Sequence, residues 1–447
     1  MTSLILFAIA SIWFLRGARR RDWDPLAPDR LYGTVWLLAV SLTNLRLSAL
    51  QMRWTVFSWT YILGSILSYL SGVWLAGRPR MGSEDGVYAR VRDTIEPKRY
   101  LGAVTCLYLF CLTGYLWRIH SVGSVPALAE NVEEARWRFY DIENGSFLDR
   151  VTANIAFLFS AVVIACALFY LLRKRSASRP GKKAGAFALV LLGSAVLFLV
   201  STTFRGAILP PLIIVGGLFH YLRRNFNLTR LALIGAITFS AGLGLVIYRH
   251  LSSPGYNLET AYTLAEMRIP PEYALVAEPY TYVALSVDNV VQLFERPLQP
   301  TLGILSFRPL WTILGLKDSL LRDVNLPFLP AYGFNTATYL FPFYEDFGLV
   351  GVLIFPFAFG WVCGRVYKAM LTSGRVVYVL SYCFVVFLIM FSVLDNLFVF
   401  TRFWVELGLL AGVVYIAGVR ETQGKTEPLM TSGFSDPRRS VSDAHSN

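Results

Sequence analysis

The chain contains few charged residues. Asp, Glu, Lys and Arg make up 16% of its 447 residues, whereas soluble globular proteins carry about 25%. Hydrophobic residues make up 55%. Apolar runs of about 20 residues recur along the chain, and a helix of that length crosses roughly 30 Å of hydrocarbon. This composition excludes a soluble globular protein and predicts an all-α polytopic membrane protein.

Cysteine and histidine are also scarce. The five cysteines lie in apolar stretches, and no two of them have a metal-ligand spacing such as Cys-x-x-Cys. Only two of the four histidines, His120 and His250, fall in segments that we assign below to the outside. Two isolated histidines do not make a metal site. Asp22 and Asp24 match a short Asp-x-Asp pattern, but neighbouring arginines place it in the cytoplasm. We expect no metal and no cofactor.

Eleven segments are predicted to be transmembrane helices. Each is predominantly apolar, and their boundaries are approximate because sequence patterns locate the ends of elements less well than their centres. The predicted spans are residues 2–15, 31–50, 56–77, 101–119, 152–172, 185–203, 206–222, 230–248, 349–367, 376–394 and 398–418.

The loops between these spans differ in charge. One alternating set carries 27 of the 41 Lys and Arg residues but only 11 of the 29 acidic residues. Membrane proteins keep an excess of Lys and Arg on the cytoplasmic side, so this set is predicted to be cytoplasmic. The N-terminus is then outside and the C-terminus inside, and the net charge of +12 does not imply nucleic acid. The cytoplasmic set is 16–30, 78–100, 173–184, 223–230, 365–375 and 419–447.

A long outer loop separates two groups of helices. It holds ten of the 21 prolines and many aromatic residues, unlike a polar disordered linker. We predict short helices on the membrane surface, with candidates at 279–295 and 302–322. The polar tail is predicted to be disordered. The chain thus divides into helices 1–8 at 1–248, the outer loop at 249–348, helices 9–11 at 349–418 and the tail at 419–447.

A single arginine interrupts a long apolar run in STTFRGAILPPLIIVGG, residues 201–217. The predicted helices leave almost no loop here, so Arg205 lies at the outer mouth of a tight helical hairpin. Pro210 and Pro211 fall in the first turns of the next helix, where missing N–H groups cost least. An arginine beside a helix N-terminus favours an anion such as phosphate. Anchoring of the helix end explains the position equally well.

The outer loop supplies further cations, including Arg308 and Arg322. Arginine outnumbers lysine there, and a guanidinium suits bidentate binding of phosphate or carboxylate. Neighbouring acids, as in the pair Glu295 and Arg296, allow ordinary surface pairing instead. We expect at least one loop arginine to face an anionic ligand.

The loop ends in AYGFNTATYLFPFYEDFGLVGVLIFPFAFG, residues 331–360. Asn335 and Thr336 belong to a polar cluster among aromatic residues. Glu345 and Asp346 precede the next predicted span, where a carboxylate can act as a general base. Asp346 can instead cap the helix that follows. The nearby glycines, Gly348 and Gly351, are expected to allow close helix packing.

Charged residues recur near the outer end of the last predicted hairpin, in FSVLDNLFVFTRFWVE. Arg402 and Glu406 are four residues apart, so they can pair on one helix face. A structural ion pair is therefore the expected role of these two. Asp395 has no comparable partner in the sequence.

Two stretches of text and the late position of the outer loop resemble a known family. The stretch TFRGAIL and the stretch NTATYLFPFYEDFGLVGVLIFPFAFGWVCGRVY look like those of the oligosaccharide repeat unit polymerases of the Wzy type, which act in bacterial O-antigen and capsule synthesis. Members carry an arginine followed by ten residues and a glycine. Arg205 with Gly216 fits that spacing, and so does Arg322 with Gly333.

The resemblance implies a GT-C-like helical fold and a metal-independent glycosyltransferase of the bacterial cytoplasmic (inner) membrane. A glycan on undecaprenyl diphosphate would be transferred en bloc to another lipid-linked repeat unit at the outer face. The implied partners are the undecaprenyl-diphosphate-linked oligosaccharide, membrane lipid and a polysaccharide chain-length regulator, with no nucleic acid.

The implied chemistry assigns roles to the residues above. A diphosphate leaving group needs fixed cations, which Arg205 and the loop arginines would provide. Sugar rings pack on aromatic faces, and the residues available for this include Tyr339 and Tyr344. The acceptor hydroxyl needs a base, for which the candidates are His250, Asp346 and, less favoured, Glu345.

Two other functions share parts of this pattern. A lipid-linked glycan ligase of the O-antigen ligase kind has the same layout and differs in its acceptor. A flippase or other transporter needs no outer loop of about a hundred residues, and it usually shows repeats and polar residues deep in its helices.

Overall fold

The protein, described here by a computed structural model, is built from helices. The described helices are α1 (Thr2–Leu15), α2 (Pro28–Thr43), α3 (Val56–Ala76), α4 (Pro97–Val122), α5 (Val132–Tyr140), α6 (Ala161–Leu172), α7 (Lys182–Ser201), α8 (Arg205–Leu222), α9 (Ala274–Phe294), α10 (Arg308–Ile313), α11 (Lys317–Leu321), α12 (Leu340–Ser373), α13 (Val376–Phe391) and α14 (Thr401–Ile416). The structure describes residues 2–16, 18, 23–77, 93–94, 96–140, 161–172, 182–201, 205–222, single positions between 229 and 247, 262–321, 336–417 and 420–421.

Among the described helices, four are long and apolar enough to cross a membrane by length and composition, namely α3, α4, α7 and α12. The helices α1, α6 and α13 and residues 208–222 of α8 are apolar but shorter. Large apolar side chains point outward, such as Trp74 at 78% exposure and Leu197 at 72%. Extended apolar surfaces of this kind suit lipid better than water. These features confirm the prediction of an all-α membrane protein.

Helices lie at ten of the eleven predicted spans, and the eighth span, 230–248, falls largely outside the described residues. The second and ninth spans differ most from prediction. The second ends at Thr43 because residues 44–55 leave the helix, and Arg46 there has a positive φ of 53°. The ninth begins earlier, at Leu340.

The predicted hairpin around Arg205 is present. Helix α7 ends at Ser201 and α8 begins at Arg205, so three residues connect them. The prolines lie deeper than expected. Pro210 and Pro211 are the sixth and seventh residues of α8, where their missing N–H groups remove two intrahelical hydrogen bonds.

Helices α3 and α12 pack backbone to backbone. A Cβ atom on Gly72 would lie 2.0 Å from the carbonyl oxygen of Phe357, and one on Gly360 would lie 2.1 Å from that of Tyr69. A Cβ on Gly364 would lie 2.6 Å from the side chain of Ala76. Gly360 and Gly364 form the small-xxx-small spacing that lets membrane helices approach closely. This contact fixes α12 against α3.

Helix α12 is kinked at Gly348, whose φ of 61° lies outside the helical region. The segment before the kink folds back on the segment after it, since Phe343 stacks on Phe355 with ring centroids 4.1 Å apart. A Cβ on Gly351 would lie 2.0 Å from the carbonyl oxygen of Phe343. Gly351 therefore allows the two helical segments of α12 to pack closely, as predicted, and Gly348 provides the turn between them.

The outer loop contains the predicted helices in modified form. The candidate at 279–295 is the longer helix α9, in which Thr281 and Asp288 are buried. The candidate at 302–322 is divided into α10 and α11, with Gly315 at a φ of 70° between them. Most side chains from 302 to 316 are exposed, and the large apolar ones are Leu302, Phe307, Leu310, Ile313, Leu314 and Leu316. An exposed apolar segment is what the predicted membrane-surface position requires.

A buried polar cluster around Asp24 joins three segments at one end of the bundle. The carboxylate of Asp24 lies 2.9 Å from His220 Nε2 and accepts hydroxyl hydrogen bonds from Tyr221 (2.9 Å) and Tyr367 (2.7 Å). The backbone N–H of Leu26 also donates to it, at 2.9 Å. Asp24 therefore has a structural role, and its oxygens are not open to a metal. The cluster brings together segments that the charge pattern assigns to one side.

Candidate functional site

A cavity at the other end of the bundle lies beside the corner of α12. It has a volume of about 830 Å³. We call the residues just before the kink its floor and the segment that follows α9 its wall, and α11 completes the lining. The lining residues are Leu293, Arg296, Pro297, Leu298, Gln299, Pro300, Thr301, Leu302, Ile304, Ser319, Leu320, Tyr344 and Glu345.

Asp346 holds the wall of this pocket. Its carboxylate is fully buried and accepts hydrogen bonds from the Thr301 hydroxyl and from the backbone N–H groups of Leu305 (3.2 Å) and Ser306 (2.6 Å). These donors lie about 40 residues upstream. The described hydrogen bonds of Asp346 therefore bind this upstream segment and do not form the expected cap on the helix that follows. Because both oxygens face this segment, Asp346 positions the wall and does not face the pocket as a base.

Glu345 is the carboxylate that lines the pocket. It is half-buried, and its backbone carbonyl accepts a hydrogen bond of 3.1 Å from the N–H of Thr301. Its side chain interacts electrostatically with Arg296, which lines the same pocket. None of the ion pairs among the described residues joins the two groups directly. The pocket thus presents two opposite charges that are not in contact.

Arg308 and Asp395 form a second charged pair near the outer end. Arg308 begins α10, and Asp395 lies in the connection between α13 and α14. The pKa of Asp395 is raised to about 6, because burial disfavours the ionised carboxylate. The N–H of Asn396, 2.7 Å from the carboxylate, and the positive charge of Arg308 oppose this shift. Asp395, for which the sequence offered no partner, therefore lies close enough to interact electrostatically with Arg308, a predicted ligand-binding residue.

We expect Asp395→Asn to stabilise the protein at pH 7.5 and to leave its stability unchanged near pH 4. The folded pKa of about 6 exceeds the ordinary value of 3.8. The stabilising contribution is therefore present below pH 3.8 and lost as the pH rises through about 6. After allowance for the partial exposure of Asp395, the gain at pH 7.5 is about 1–3 kcal/mol. Thermal unfolding of both proteins across this range measures it, and an equal difference at every pH would contradict it.

Thr336 packs against polar side chains of α9. Its hydroxyl is 2.7 Å from that of Ser286, and its carbonyl accepts a hydrogen bond of 2.8 Å from Asn289 Nδ2. Both partners are fully buried. The predicted polar cluster around Thr336 therefore docks the end of the outer loop onto α9.

Tyr339 is a core residue. It is 1% exposed, its hydroxyl is 2.8 Å from that of Tyr32, and its carbonyl accepts a hydrogen bond of 2.9 Å from Asn396. Tyr344 lines the pocket, but its ring packs against Tyr61 and Phe294. The structure thus uses both rings for packing, and neither offers the open face that was expected for a sugar.

The other predicted site residues are less well defined. Arg205 is the first residue of α8, and its side chain is not among those described. The roles predicted for the remaining three concern positions outside the described residues, namely His250, Arg322 and Asn335.

The ion pair expected in α14 is confirmed. Arg402 Nε lies 3.1 Å from Glu406 Oε1. Arg296 was underrated, since its neighbour Glu295 suggested a surface pair. Glu295 instead contacts the hydroxyls of Thr55 and Ser58, which leaves Arg296 to the pocket. The prolines on both sides of Leu298 and Gln299 were a signal of an extended wall.

No group of three His, Cys, Asp or Glu side chains within the described part of the chain could hold a metal ion. What the site offers is one carboxylate and one guanidinium across an open pocket, beside an exposed apolar segment. Comparisons with protein-family models, with curated proteins and with solved structures give no match to this chain.

Proposed function

We propose that the chain polymerises glycan repeat units linked to undecaprenyl diphosphate, at the outer face of the bacterial cytoplasmic membrane. Under this proposal it is a GT-C-like glycosyltransferase with eleven transmembrane helices, the N-terminus outside and the C-terminus in the cytoplasm. A growing chain is transferred from its lipid diphosphate to the next lipid-linked repeat unit.

The observation that carries the proposal is the pocket between Glu345 and Arg296. It lies at the end of the bundle that the charge pattern assigns to the outside, and it adjoins the exposed apolar segment 302–316. A substrate with a sugar head and a lipid tail needs a polar pocket next to an apolar surface. The hairpin at Arg205 adds a cation beside a helix N-terminus, which suits the diphosphate leaving group.

Replacing Arg205 with Ala is expected to abolish long glycan chains in cells and to leave single-repeat product. Loss of one group that stabilises developing charge typically slows a reaction by about 100- to 1000-fold. Arg205→Lys should keep part of the activity, since it retains the charge without the planar guanidinium. Gel analysis of the surface polysaccharide measures chain length.

The matched control is Arg53→Ala, because Arg53 is an exposed arginine assigned to the same outer side and should leave chain length unchanged. Normal long chains in Arg205→Ala would refute the polymerase. Long lipid-linked chains that are no longer attached to their acceptor would indicate a ligase. Lipid-linked units retained on the cytoplasmic side would indicate a flippase.

A further inference from the structure

We propose that the pocket between Arg296 and Glu345 binds the terminal sugar of the acceptor glycan, an inference that rests on the function proposed above. The Glu345 carboxylate accepts a hydrogen bond from the sugar hydroxyl that will react. Arg296, across the pocket, donates to another oxygen of the same glycan. The two groups share the pocket but do not pair directly, so a ligand can lie between them.

The charge of the pocket favours a neutral glycan over a phosphate. Two further carboxylates lie nearby, but each is occupied. Glu295 contacts Thr55 and Ser58, and Asp346 accepts its three hydrogen bonds from the wall. Among the described residues that line the pocket, one cation and one anion therefore remain for the ligand. Because Glu345 would repel a diphosphate, the diphosphate belongs elsewhere, and the hydroxylated acceptor suits this pocket.

The remaining lining has the mixed character that a sugar requires. Gln299 and Ser319 offer an amide and a hydroxyl to hydroxyl groups. Apolar side chains complete the surface and suit the C–H faces of a sugar ring, and these are Leu293, Pro297, Leu298, Pro300, Leu302, Ile304 and Leu320. Pockets with many apolar groups and a few placed polar groups are typical of small-ligand sites.

The neighbouring apolar segment accounts for how an acceptor reaches the pocket. Leu302 belongs to the pocket and is 80% exposed, and Ile313 on α10 is 71% exposed. Such a segment resides at the boundary between headgroups and acyl chains. A glycan carried on a lipid in the same leaflet would thus arrive at the height of the pocket.

The transfer step follows from this position. The Glu345 carboxylate takes the proton of the acceptor hydroxyl, and the hydroxyl oxygen forms the new bond to the anomeric carbon of the donor sugar. The bond between that carbon and the diphosphate oxygen breaks, and the diphosphate leaves with the electron pair. Glu345 is therefore the catalytic base of the proposed reaction, and Arg296 sets the orientation of the acceptor.

Thiol protection tests binding without turnover. In the full chain carrying Cys106→Ser, which removes the exposed native thiol, Ser319→Cys introduces a thiol into the pocket lining. A maleimide then labels it in nanodiscs, with and without the oligosaccharide pool released by mild acid from the lipid-linked intermediates of the producing cells. We expect this pool to slow labelling at least about fivefold. Thr312→Cys, on exposed α10 but outside the pocket, should label at an unchanged rate.

Variants assign the protection to the charged pair. Glu345→Gln and Arg296→Lys should each raise the glycan concentration needed for protection about tenfold, because Gln removes the charge from the acceptor and Lys loses the planar, bidentate donor. Glu272→Gln and Arg53→Lys, at exposed positions outside the pocket, should not change it. Equal sensitivity of all four variants would overturn the assignment to Glu345 and Arg296.

The outcomes separate this inference from the polymerase itself. No protection of Ser319→Cys by the oligosaccharide pool would overturn the pocket, even if Arg205→Ala shortens the chains as expected. Stronger protection by inorganic pyrophosphate than by the pool would also overturn it, because it would identify an anion site. Protection together with normal chains in Arg205→Ala would keep a glycan pocket and remove its role in polymerisation.

Discussion

Asp346→Asn is expected to destabilise the pocket wall and, under the proposed function, to reduce polymerisation at the same time. Asn retains one carbonyl oxygen, and its amide group must face either the N–H of Ser306 or the Thr301 hydroxyl together with the N–H of Leu305. At least one buried donor in 301–306 then loses its acceptor, which costs about 1–3 kcal/mol. Asp346→Ala removes every acceptor and should cost more. Thermal unfolding in detergent and hydrogen exchange of residues 301–306 measure the two effects.

Glu345→Gln is the matched control, since it changes the neighbouring carboxylate in the same way. The side chain of Glu345 faces the pocket, and its contact with the wall is made through its backbone carbonyl. It should therefore lose activity while its stability and its exchange rates in 301–306 stay close to those of the wild type. If Asp346→Asn kept wild-type stability, the wall would not depend on this carboxylate.

Gly360→Val is expected to prevent α3 and α12 from packing as they do. A Cβ at this position would lie 2.1 Å from the carbonyl oxygen of Tyr69, so one backbone must move. Overpacking of this kind costs about 1–3 kcal/mol and can exceed it. Gly72→Ala should have a similar effect, because its Cβ would lie 2.0 Å from the carbonyl oxygen of Phe357. The melting temperature and the yield of folded protein in detergent measure the loss.

Two glycines provide the control for this experiment. Gly193 and Gly408 lie in helices, and an added Cβ would meet nothing within 4 Å. Ala at either site should be neutral or slightly stabilising, since Ala favours a helix over Gly by about 1 kcal/mol. If Gly72→Ala were as well tolerated as Gly193→Ala, the close approach of α3 and α12 would not be required for the fold.

The helices were the predictable part of this fold. A long apolar run predicts a helix, because within the bilayer every backbone N–H and C=O group of the segment must be hydrogen-bonded inside that segment. The hairpin at Arg205 and the ion pair between Arg402 and Glu406 also depend on residues close in sequence. Local rules of capping and helix spacing were therefore sufficient for them.

The failures concern partners that are distant in sequence. The donors to Asp346 lie at 301–306, and those to Asp24 include Tyr221 and Tyr367. No periodicity connects such positions, so the cap on the following helix was the natural but incorrect expectation for Asp346. The kink at Gly348 was missed for a similar reason. A glycine allows a positive φ, but only the chain folded around it requires one.

The sequence predicted which segment holds the candidate site better than it predicted which residues form the site. The stretch around Glu345 was singled out, and the pocket lies there. For Arg296 the sequence left surface pairing with Glu295 open beside ligand binding, because it gave no sign of the contacts that Glu295 makes with Thr55 and Ser58. For the aromatic residues the error was to expect ligand binding where the structure uses the ring for packing. A ring that suits a sugar suits a core equally well, and Tyr339 is in the core.

Because of the close contact between α3 and α12, the floor and the wall of the pocket are held in place by different contacts. The floor at Glu345 lies before the kink of α12, in the segment that Gly351 contacts at Phe343, and Gly360 holds the segment after the kink against α3. The wall at 297–302 contains no helix in the described chain and is attached to the floor chiefly through Asp346. Under the proposed function, a repeat unit of different size would therefore be accommodated by that wall, while the reacting hydroxyl keeps its distance from Glu345. Substrate range and catalytic geometry would then be set by different elements of the fold.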